Sequence, residues 1–268
     1  MSGQAAGQAA GPAGVVLAAG AGTRLRPLTD LRPKALCPVG GVPLLDLALG
    51  RLAATAGTGE ARVAVNAHHH ADQVTAHVDG AARLSVEQPE ALGTAGALGA
   101  LRDWLAGRDV LVTNADAYLP GWAPGFEDGW DGERCRLACV PAGAGRPDFR
   151  TPGGQDVRYV GACLLPWRLV ADLEPVPSGL YERLWRDADL DLVLVDGPVF
   201  DCGTVADYLR ANLHASGGRS VVGAGATVQG TLTRSVVWDG ARVGPDEHLV
   251  DVVRATDGHR QLTVGPRP

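Results

Sequence analysis

The sequence predicts an α/β protein: a Rossmann-like, mixed but mostly parallel sheet flanked by helices, followed by a short C-terminal tail resembling a left-handed β-helix. Two observations predict the sheet. Short runs of Val, Leu and Ala recur along the chain, and they alternate with segments that carry apolar residues at helical spacing. A third observation predicts the tail, because aliphatic residues recur at six-residue intervals after residue 216, with one step of nine between two groups.

Composition limits the function classes. Of 268 residues, 46% are hydrophobic and 20% are charged, and the net charge is −6. Nucleic-acid-binding domains usually carry a basic stripe, so no nucleic-acid partner is expected. The five cysteines form no CxxC pair, which argues against a disulfide framework or a zinc site and favours a reducing, cytoplasmic location. No apolar run approaches the roughly 18 residues of a membrane span.

Three regions are expected along the chain. Residues 1–13 (MSGQAAGQAAGPA) carry no charge and no apolar run, which is typical of a disordered tail and not of a signal peptide. Residues 14–215 hold the α/β domain, and residues 216–268 hold the β-helix-like segment, for which an ordinary β-meander is the alternative. Because so few coils would be marginal alone, the segment should dock on the main domain or on a second subunit, giving a homo-oligomer in the latter case.

The order of elements follows from the apolar pattern. Strands are expected at residues 15–17, 62–65, 84–86, 110–112, 136–140, 159–165 and 192–195, and helices at residues 44–54, 72–78, 95–105, 180–185 and 205–214. Between the first and second halves, residues 120–156 are rich in Gly, Pro and Asp and therefore less regular.

A glycine loop follows the first strand, at the sheet edge where open α/β proteins bind ligands. The small residues of Ala18-Ala19-Gly20-Ala21-Gly22-Thr23 allow backbone N–H groups to approach an anion closely. Leu25 stands where a dinucleotide fingerprint has its third glycine, and no GK[ST] follows, so neither a Rossmann cofactor loop nor a P-loop is expected. Such a loop alone is structural about as often as it is functional.

Basic residues after the loop favour an anionic ligand. Arg24 and Arg26 offer fork-shaped donors that suit phosphate oxygens. Lys34 is the only lysine of the chain and follows Pro33, which fixes the backbone ahead of it. A lysine is a compact point charge that can approach one phosphoryl oxygen where a planar guanidinium would be too bulky. We therefore expect Lys34 to act in a site, and the alternative is an ordinary surface lysine.

Residues 17–46, LAAGAGTRLRPLTDLRPKALCPVGGVPLLD, resemble the opening signature of the sugar-1-phosphate nucleotidylyltransferases. The resemblance implies Mg²⁺-dependent transfer of a nucleoside monophosphate from an NTP to a sugar 1-phosphate, with release of pyrophosphate. It implies that Arg24 and Lys34 are catalytic and bind the phosphates. The implied nucleotide-binding residues of this stretch are Leu17, Ala18, Ala19, Gly20, Gly22 and Thr23.

Two carboxylates are the implied Mg²⁺ ligands. VLVTNAD, which ends in Asp116, is similar to the family's NGD element, with Ala115 in place of glycine, and Asp116 is also expected to be catalytic. FDCGTVADYL resembles the W-x-D-x-G-T-x-x-D-Y-L element and supplies Asp201. Mg²⁺ prefers oxygen ligands and often takes only one or two carboxylates beside phosphates. Because these aspartates lie far apart in sequence, only the fold can bring them together.

A later segment is similar to the family's base-recognition element. EQPEALGTAGAL implies contacts to the base by Gln88 and Gly93, with Thr94 nearby. The same glycines would also suit the start of a tightly packed helix. The run His68-His69-His70 is expected to be a solvated loop, since three adjacent histidines point in different directions and do not form a metal face.

The sugar side departs from the family. Asn114 and Gly161 match implied sugar contacts, but the family's glutamate–lysine–proline element is missing. Arg146, Asp148 and Arg150 occupy that region in GRPDFR. An arginine, taken as Arg150, is expected to replace the missing lysine at the sugar phosphate.

The substrates are left open between alternatives. LGTAGAL and the tail are typical of mannose-1-phosphate guanylyltransferase-like members and favour GTP with mannose 1-phosphate or a related hexose or cyclitol phosphate. GRPDF is closer to muramate-1-phosphate uridylyltransferases and favours UTP with an amino-sugar 1-phosphate. A catalytically silent nucleotide-binding regulatory subunit is a third interpretation, supported by the missing second lysine alone.

Overall fold

The first strand begins inside the segment predicted to be disordered. In the computed structural model, which describes residues 11–122 and 125–266, strand β1 (Ala13–Leu17) starts at a buried alanine whose N–H donates to the Asp109 carbonyl oxygen at 2.8 Å. Residues 1–10 of the predicted tail lie outside the described part of the chain. Within that described part, no helix is long and apolar enough to cross a membrane.

Strands and helices alternate up to residue 215, as the apolar pattern predicts. After β1 they are β2 (Pro38–Val39), β3 (Val42–Pro43), α1 (Leu44–Ala53), β4 (Val63–Ala67), α2 (Ala71–Val78), β5 (Arg83–Val86), α3 (Gly93–Ala100), α4 (Arg102–Leu105), β6 (Val110–Asn114), β7 (Ala117–Tyr118), β8 (Arg136–Pro141), β9 (Phe149–Arg150), β10 (Asp156–Leu165), α5 (Trp167–Val170), β11 (Asp191–Leu194), β12 (Phe200–Asp201) and α6 (Val205–Ala215). Three 3₁₀ turns (Thr23–Leu25, Leu28–Asp30 and Lys34–Leu36) lie between β1 and β2, and a π-helical turn (Tyr181–Trp185) precedes β11.

The central sheet is mixed and mostly parallel, which confirms the predicted fold class. Its order is β11-β8-β10-β6-β1-β4-β5, with β9 paired to β10. β1 pairs in parallel with both β4 and β6, whereas β10 runs antiparallel to β6 and β8. In register, Leu17 lies beside Asn66 on one side and Asn114 on the other. The carboxyl ends of three strands therefore meet at one edge, where ligands of such sheets bind.

Residues 221–264 form small parallel ladders that are consistent with a β-helix-like tail. The strands are β13 (Val221–Val222), β14 (Thr227–Val228), β15 (Thr231–Thr233), β16 (Val236–Val237), β17 (Arg242–Val243), β18 (His248–Val250), β19 (Val253–Thr256) and β20 (Gln261–Val264). β13, β16 and β19 stack in parallel, as do β14 with β17 and β15 with β18, while β20 is antiparallel to β19. Val237, Val243 and Leu249 are buried as predicted, but Val222 is exposed because β13 is the outermost strand of its ladder. The left hand of the coil stays a prediction.

Trp238 fixes the tail to the main domain. Its indole is fully buried, and Nε1 donates to the Tyr208 hydroxyl at 3.0 Å. Tyr208 in turn donates to the Pro38 carbonyl oxygen, and the Arg32 guanidinium lies 4.2 Å from the centre of the Trp238 ring. This contact joins the tail to α6 and to the β2–β3 hairpin, a few residues from Lys34.

Glycines at every third position let α3 lie directly on another backbone segment. A Cβ at Gly96 would lie 2.2 Å from the Val176 carbonyl oxygen, and one at Gly99 would lie 2.4 Å from the Glu174 carbonyl carbon. Ser178 continues the contact, because its carbonyl oxygen accepts from Ala95 N–H at 3.0 Å. The glycine run is therefore a packing surface, which is one of its two sequence-based interpretations. The helix predicted over residues 95–105 is divided between α3 and α4, because Leu101 leaves helical geometry.

The packing of α3 makes opposite predictions for two helical glycines. Gly96→Ala should lower the free energy of unfolding by about 1–3 kcal/mol, because the new methyl group would overlap backbone atoms. Gly50→Ala in α1, where a Cβ would meet nothing within 4 Å, should raise it by up to about 1 kcal/mol through helix propensity. Thermal unfolding followed by circular dichroism measures both changes. Shifts of the same sign would contradict the observed contact.

Candidate active site

A cavity of about 390 Å³ opens at the carboxyl ends of β1, β4 and β6. It is called the first cavity below. Its walls are formed by the glycine loop, the segment after β4, the loop before α3 and the end of β6. The residues that line it are Leu17, Ala18, Ala19, Gly20, Ala21, Lys34, Ala35, Asn66, His68, Ala91, Gly93, Thr94, Asn114, Ala115 and Asp116. Six of the nine residues predicted to bind a nucleotide are among them. Gly22, Thr23 and Gln88 are not.

A buried hydrogen-bond chain connects two walls of the first cavity. Ala18 N–H donates to Asn66 Oδ1 at 2.6 Å, and Asn66 Nδ2 donates to Glu87 Oε1 at 2.7 Å. The other Glu87 oxygen accepts from Leu92 N–H at 2.7 Å, and the side chain is only 2% exposed. Glu87 therefore fixes the loop before α3 to the glycine loop.

The residue of EQPE that the sequence predicts to contact the base, Gln88, is the neighbour of the buried Glu87. Gln88 is exposed and does not line the first cavity, whereas Glu87 is buried behind it. A contact of Gln88 with a base therefore stays a prediction. His68 also differs from expectation, because it lines the first cavity and its Nδ1 lies 2.9 Å from the Glu87 carbonyl oxygen. The sequence signal for Glu87 was limited to its place directly after β5.

Gly22 packs against Lys34 instead of lining the first cavity. Its φ of 58° lies in the left-handed region, which favours glycine. A Cβ here would lie 2.8 Å from Thr29 Cγ2 and 3.1 Å from Lys34 Cβ. Thr29 Oγ1 donates to the Gly22 carbonyl oxygen at 3.0 Å, so the loop and the lysine segment are held together. The signature thus needs a glycine here for the approach of Lys34.

The Lys34 ammonium lies between two carboxylates. Nζ donates to Asp116 Oδ2 at 2.8 Å and lies 3.6 Å from Asp201 Oδ1. Lys34 is only 7% exposed, while both carboxylates are about half exposed. Arg24, an exposed side chain, reaches the outer face of Asp201 with Nη2 3.7 Å from Oδ2. All four residues predicted to be catalytic or metal-binding therefore meet at one mouth of the first cavity.

A short antiparallel pair of strands brings the two aspartates together. β7 and β12 align Ala117 with Asp201, and Cys202 N–H donates to the Asp116 carbonyl oxygen at 3.1 Å. Gly203 leaves room for the cluster, because a Cβ there would lie 2.8 Å from Arg24 Nη2. Burial raises the pKa of the Cys202 thiol to about 12, so this thiol stays neutral beside the charges. The fold thus supplies the proximity that sequence distance alone could not.

Asp116 and Asp201 fit a hard divalent cation. Both carboxylates already converge on one cationic atom, the Lys34 nitrogen, which shows that their oxygens face a common point. Among the described residues, no group of three or more His, Cys, Asp or Glu side chains is placed to hold a metal alone. Two carboxylates suffice for Mg²⁺ when phosphate oxygens and water complete its shell.

Arg51 supports this cluster from below and was missed at the level of sequence. Its buried guanidinium donates to Thr113 Oγ1 at 3.1 Å and to the Asn114 carbonyl oxygen at 2.8 Å. Burial lowers the pKa of Arg51 to about 10, an effect that the nearby Asp116 charge opposes. Arg51 thus fixes the end of β6, which carries Asn114 and leads to Asp116. Its signal was an arginine on the apolar face of α1.

A second cavity of about 260 Å³ shares Asn114 and Asp116 with the first. Asp201 and Gly161 also line it. Gly161 has a φ of 86° at an irregularity in the β8–β10 ladder, and a Cβ there would lie 3.1 Å from Asn114 Cβ. Two of the three predicted sugar contacts therefore lie side by side across the carboxylate pair from the glycine loop.

The structure does not bring the third predicted sugar contact, Arg150, to this cavity. Arg150 pairs with Asp156 across the β9–β10 ladder, with Nε 2.8 Å from Oδ1, and this pairing keeps it at the exposed edge. Arg158 lines the second cavity instead, two residues beyond Asp156 on β10. The second cavity is thus lined by Arg158 of β10, and not by the predicted Arg150 of β9.

Known proteins share part of this sequence. Residues 13–121 match the family model described as nucleotidyl transferase. Over 140 residues the chain is 39% identical to an N-acetylmuramate alpha-1-phosphate uridylyltransferase from Caulobacter vibrioides, a match that covers 48% of this chain and 57% of that protein. Over 266 residues it is 27% identical to a mannose-1-phosphate guanylyltransferase from Mycobacterium tuberculosis, covering 88% of this chain and 72% of that protein.

Solved structures share the fold. A Thermus thermophilus protein, described as a mannose-1-phosphate geranyltransferase, aligns with a TM-score of 0.66 at 21% identity over 94% of each chain. A putative glucose-1-phosphate thymidylyltransferase from Bacillus anthracis aligns with a TM-score of 0.59 at 20% identity, over 76% of this chain and 94% of that one. At these identities the likeness supports the fold alone.

The buried carboxylate behind the first cavity gives a stability prediction. Glu87→Gln keeps the shape of the side chain but points an amide N–H₂ at one of two N–H donors, so one donor loses its acceptor. The expected loss in the free energy of unfolding is about 1–3 kcal/mol. Glu90→Gln, an exposed change in the same loop, should alter it by less than about 0.5 kcal/mol. Thermal unfolding of both variants decides, and equal melting temperatures would contradict a supporting role for Glu87.

Proposed function

We propose, from the premise that residues 13–121 form a nucleotidyl transferase domain, that this chain transfers a nucleoside monophosphate from an NTP to a sugar 1-phosphate. One observation carries the proposal. A buried ammonium lies between two carboxylates where a glycine-loop cavity meets a second cavity, so two phosphate-bearing ligands would meet at one charged point. The names of the sequence relatives support the same reaction class.

The reaction needs positioning and charge neutralisation more than acid–base chemistry. A sugar 1-phosphate oxygen, already ionised, attacks the α-phosphorus of the NTP in line. A phosphorus–oxygen bond forms to the sugar phosphate, and the bond to the β-phosphate breaks with release of pyrophosphate. The main obstacle is repulsion between two anions, which positive groups at the meeting point of the cavities reduce.

The residues of this chain divide that task. The loop at Ala18–Gly20 presents backbone N–H groups to the NTP phosphates in the first cavity, and Arg24 binds the leaving pyrophosphate. Lys34 offsets charge that develops at the reacting phosphorus. Gly161 and Asn114 bind the sugar in the second cavity. Asp116 and Asp201 would hold Mg²⁺, which would supply positive charge to offset that of the phosphates.

Two substrate pairs follow from the similarities. GTP with mannose 1-phosphate, or a related hexose or cyclitol phosphate, is favoured by the guanylyltransferase relative, whose match covers 88% of the chain and so extends into the tail. UTP with an amino-sugar 1-phosphate is favoured by the higher identity, 39%, to the uridylyltransferase relative in a shorter match. A silent regulatory subunit is disfavoured, because Lys34 and both aspartates are assembled.

The reaction is tested by pyrophosphate release. Purified protein with Mg²⁺ is given each of five NTPs with mannose, glucose, N-acetylglucosamine and N-acetylmuramate 1-phosphates. We expect release with one pair, a fall of at least about 10²-fold in Asp116→Asn, and a similar fall in Lys34→Arg, because a guanidinium does not fit the slot of a buried ammonium. Asp103→Asn, an exposed change on α4, is the control and should keep full activity. No release with any pair would contradict the proposal.

Two arginines, Arg150 on β9 and Arg158 on β10, give a second test. Arg158→Gln should raise the KM for the sugar 1-phosphate about tenfold or more, since hydrogen bonds to charged groups contribute about 1.5–3 kcal/mol. The KM for the NTP should not change, because Arg158 lines the second cavity and not the first. Arg150→Gln, on strand β9, is the matched change and should alter neither constant by more than about twofold. A raised KM for the sugar 1-phosphate in Arg150→Gln, with no change in Arg158→Gln, would instead indicate that Arg150 contacts the sugar phosphate.

A further inference from the structure

The segment of residues 32–38 carries Lys34 and has little regular structure of its own. Before Pro38, where β2 begins, this structure is the 3₁₀ turn Lys34–Leu36, after which Cys37 N–H donates to the Lys34 carbonyl oxygen at 3.0 Å. A turn of this kind has poorer hydrogen-bond geometry than an α-helix. The position of the ammonium therefore depends on what holds the segment at its two ends.

The C-terminal tail holds the first end of the segment through an aromatic ring. The Arg32 guanidinium carbon lies 4.2 Å from the centre of the Trp238 ring, a distance at which a cation is attracted to the ring face. Within the described part of the chain, Arg32 has no ion-pair partner within 4.0 Å, so no carboxylate competes with the ring for the guanidinium. Because Trp238 is fully buried, its ring is a fixed surface.

The same tryptophan is connected to the other end of the segment through α6. Trp238 Nε1 donates to the Tyr208 hydroxyl at 3.0 Å, and that hydroxyl donates to the Pro38 carbonyl oxygen. Asn212, one turn later on α6, also donates to the Pro38 carbonyl oxygen, at 3.3 Å. Both ends of the segment that carries Lys34 are therefore connected to one indole.

The helix α6 also follows the strand that carries Asp201. β12 ends at Asp201, and Thr204 caps the start of α6, where its Oγ1 accepts from Asp207 N–H at 3.1 Å. A shift of Trp238 against α6 would therefore move Lys34 relative to a carboxylate oxygen that lies 3.6 Å from its Nζ. The contact between the tail and α6 thus bears on the spacing of the charges at the site.

A cavity of about 560 Å³ separates part of the segment from the tail. Arg32 and Leu36 line it from the segment, and Asp239 and Asp257 line it from the tail. Packed side chains therefore do not fix the segment along this stretch. The contact of Arg32 with Trp238 joins the segment to the tail beside this open space.

We propose that Trp238 is a positioning residue for the transfer reaction, and that it acts on Lys34 through Arg32 at one end of the segment and through Tyr208 at the other. The inference rests on the proposed function, in which Lys34 offsets charge at the reacting phosphorus. Neither Trp238 nor Arg32 lines the first or the second cavity, so the tail contributes placement and no chemical group. A displaced ammonium weakens stabilisation of the transition state and leaves substrate binding nearly unchanged.

The kinetic constants of Arg32→Gln test this inference in the full chain. Loss of the cation frees the first end of the segment, so kcat for pyrophosphate release should fall about tenfold, while the KM values for the NTP and the sugar 1-phosphate change by less than about twofold. Arg32→Lys keeps a cation over the ring and should recover most of the lost kcat. Arg260→Gln removes an exposed arginine of the tail and should change none of these constants.

A spectroscopic measurement of Lys34 tests the same inference without turnover. Because the chain has one lysine, protein grown with ¹³C-labelled lysine gives a single ε-methylene carbon signal. In a side chain held in one rotamer the two ε protons have separate chemical shifts, and in a mobile side chain the two shifts converge. We expect separate shifts in the parent protein and in Arg260→Gln, and convergence in Arg32→Gln and Trp238→Leu. Arg32 is only half-buried, so Arg32→Gln decides the question if Trp238→Leu does not fold.

Three results would overturn the inference while leaving the proposed reaction intact. They are an unchanged kcat with separate ε-proton shifts in Arg32→Gln, a raised KM with kcat intact in Arg32→Gln, and a kcat of Arg32→Lys as low as that of Arg32→Gln. The proposed reaction fails in a different way. Absence of pyrophosphate release from every variant, together with convergence of the ε-proton shifts in Arg32→Gln, would overturn the reaction and leave the placement of Lys34 by the tail standing.

Discussion

Three charges, one ammonium between two carboxylates, set the conditions that the surrounding structure has to meet. Asp116 and Asp201 would repel each other at this range without a cation, and Lys34 supplies it from a nearly buried position. Lys34 can occupy this position because Gly22 has no Cβ to crowd its side chain. Arg51 fixes the end of β6, which leads to Asp116. The β7–β12 pair then fixes the spacing of the aspartates. An arriving divalent cation or phosphate would exchange partners with charges that are already placed, so little reorganisation accompanies binding.

The two halves of the candidate site have different structural origins. Parallel strands β1, β4 and β6 end together, so loops at their carboxyl ends form the first cavity from backbone and small side chains. The second cavity instead depends on β10, an antiparallel strand whose irregular register turns Gly161 toward Asn114. The first cavity is thus a property of the sheet, while the second cavity is a property of one irregular strand.

That difference explains how far the sequence could be interpreted. Apolar periodicity predicted the strand and helix order, and a contiguous signature located Lys34, Arg24 and the glycine loop, since those residues follow one strand end. The neighbours of Gly161 were harder, because Arg150 and Arg158 flank the same ladder and only the pairing of Arg150 with Asp156 separates them. Glu87 was hidden for another reason. Its partners Asn66 and Leu92 are recognisable only once β4 and β5 are adjacent.

The presence of a single lysine also makes selective chemical labelling of the site possible. Lys34 Nζ is the one side-chain amine of the sequence, and the amino terminus is the other amine. Lys34 Nζ is hydrogen-bonded to Asp116 at the mouth of the first cavity. An acylating reagent therefore has one side-chain target, and its rate of attack depends on how often the ammonium leaves its carboxylates. Mass spectrometry of the labelled protein would read out labelling of this one side chain directly, with the amino terminus as the other amine that reacts.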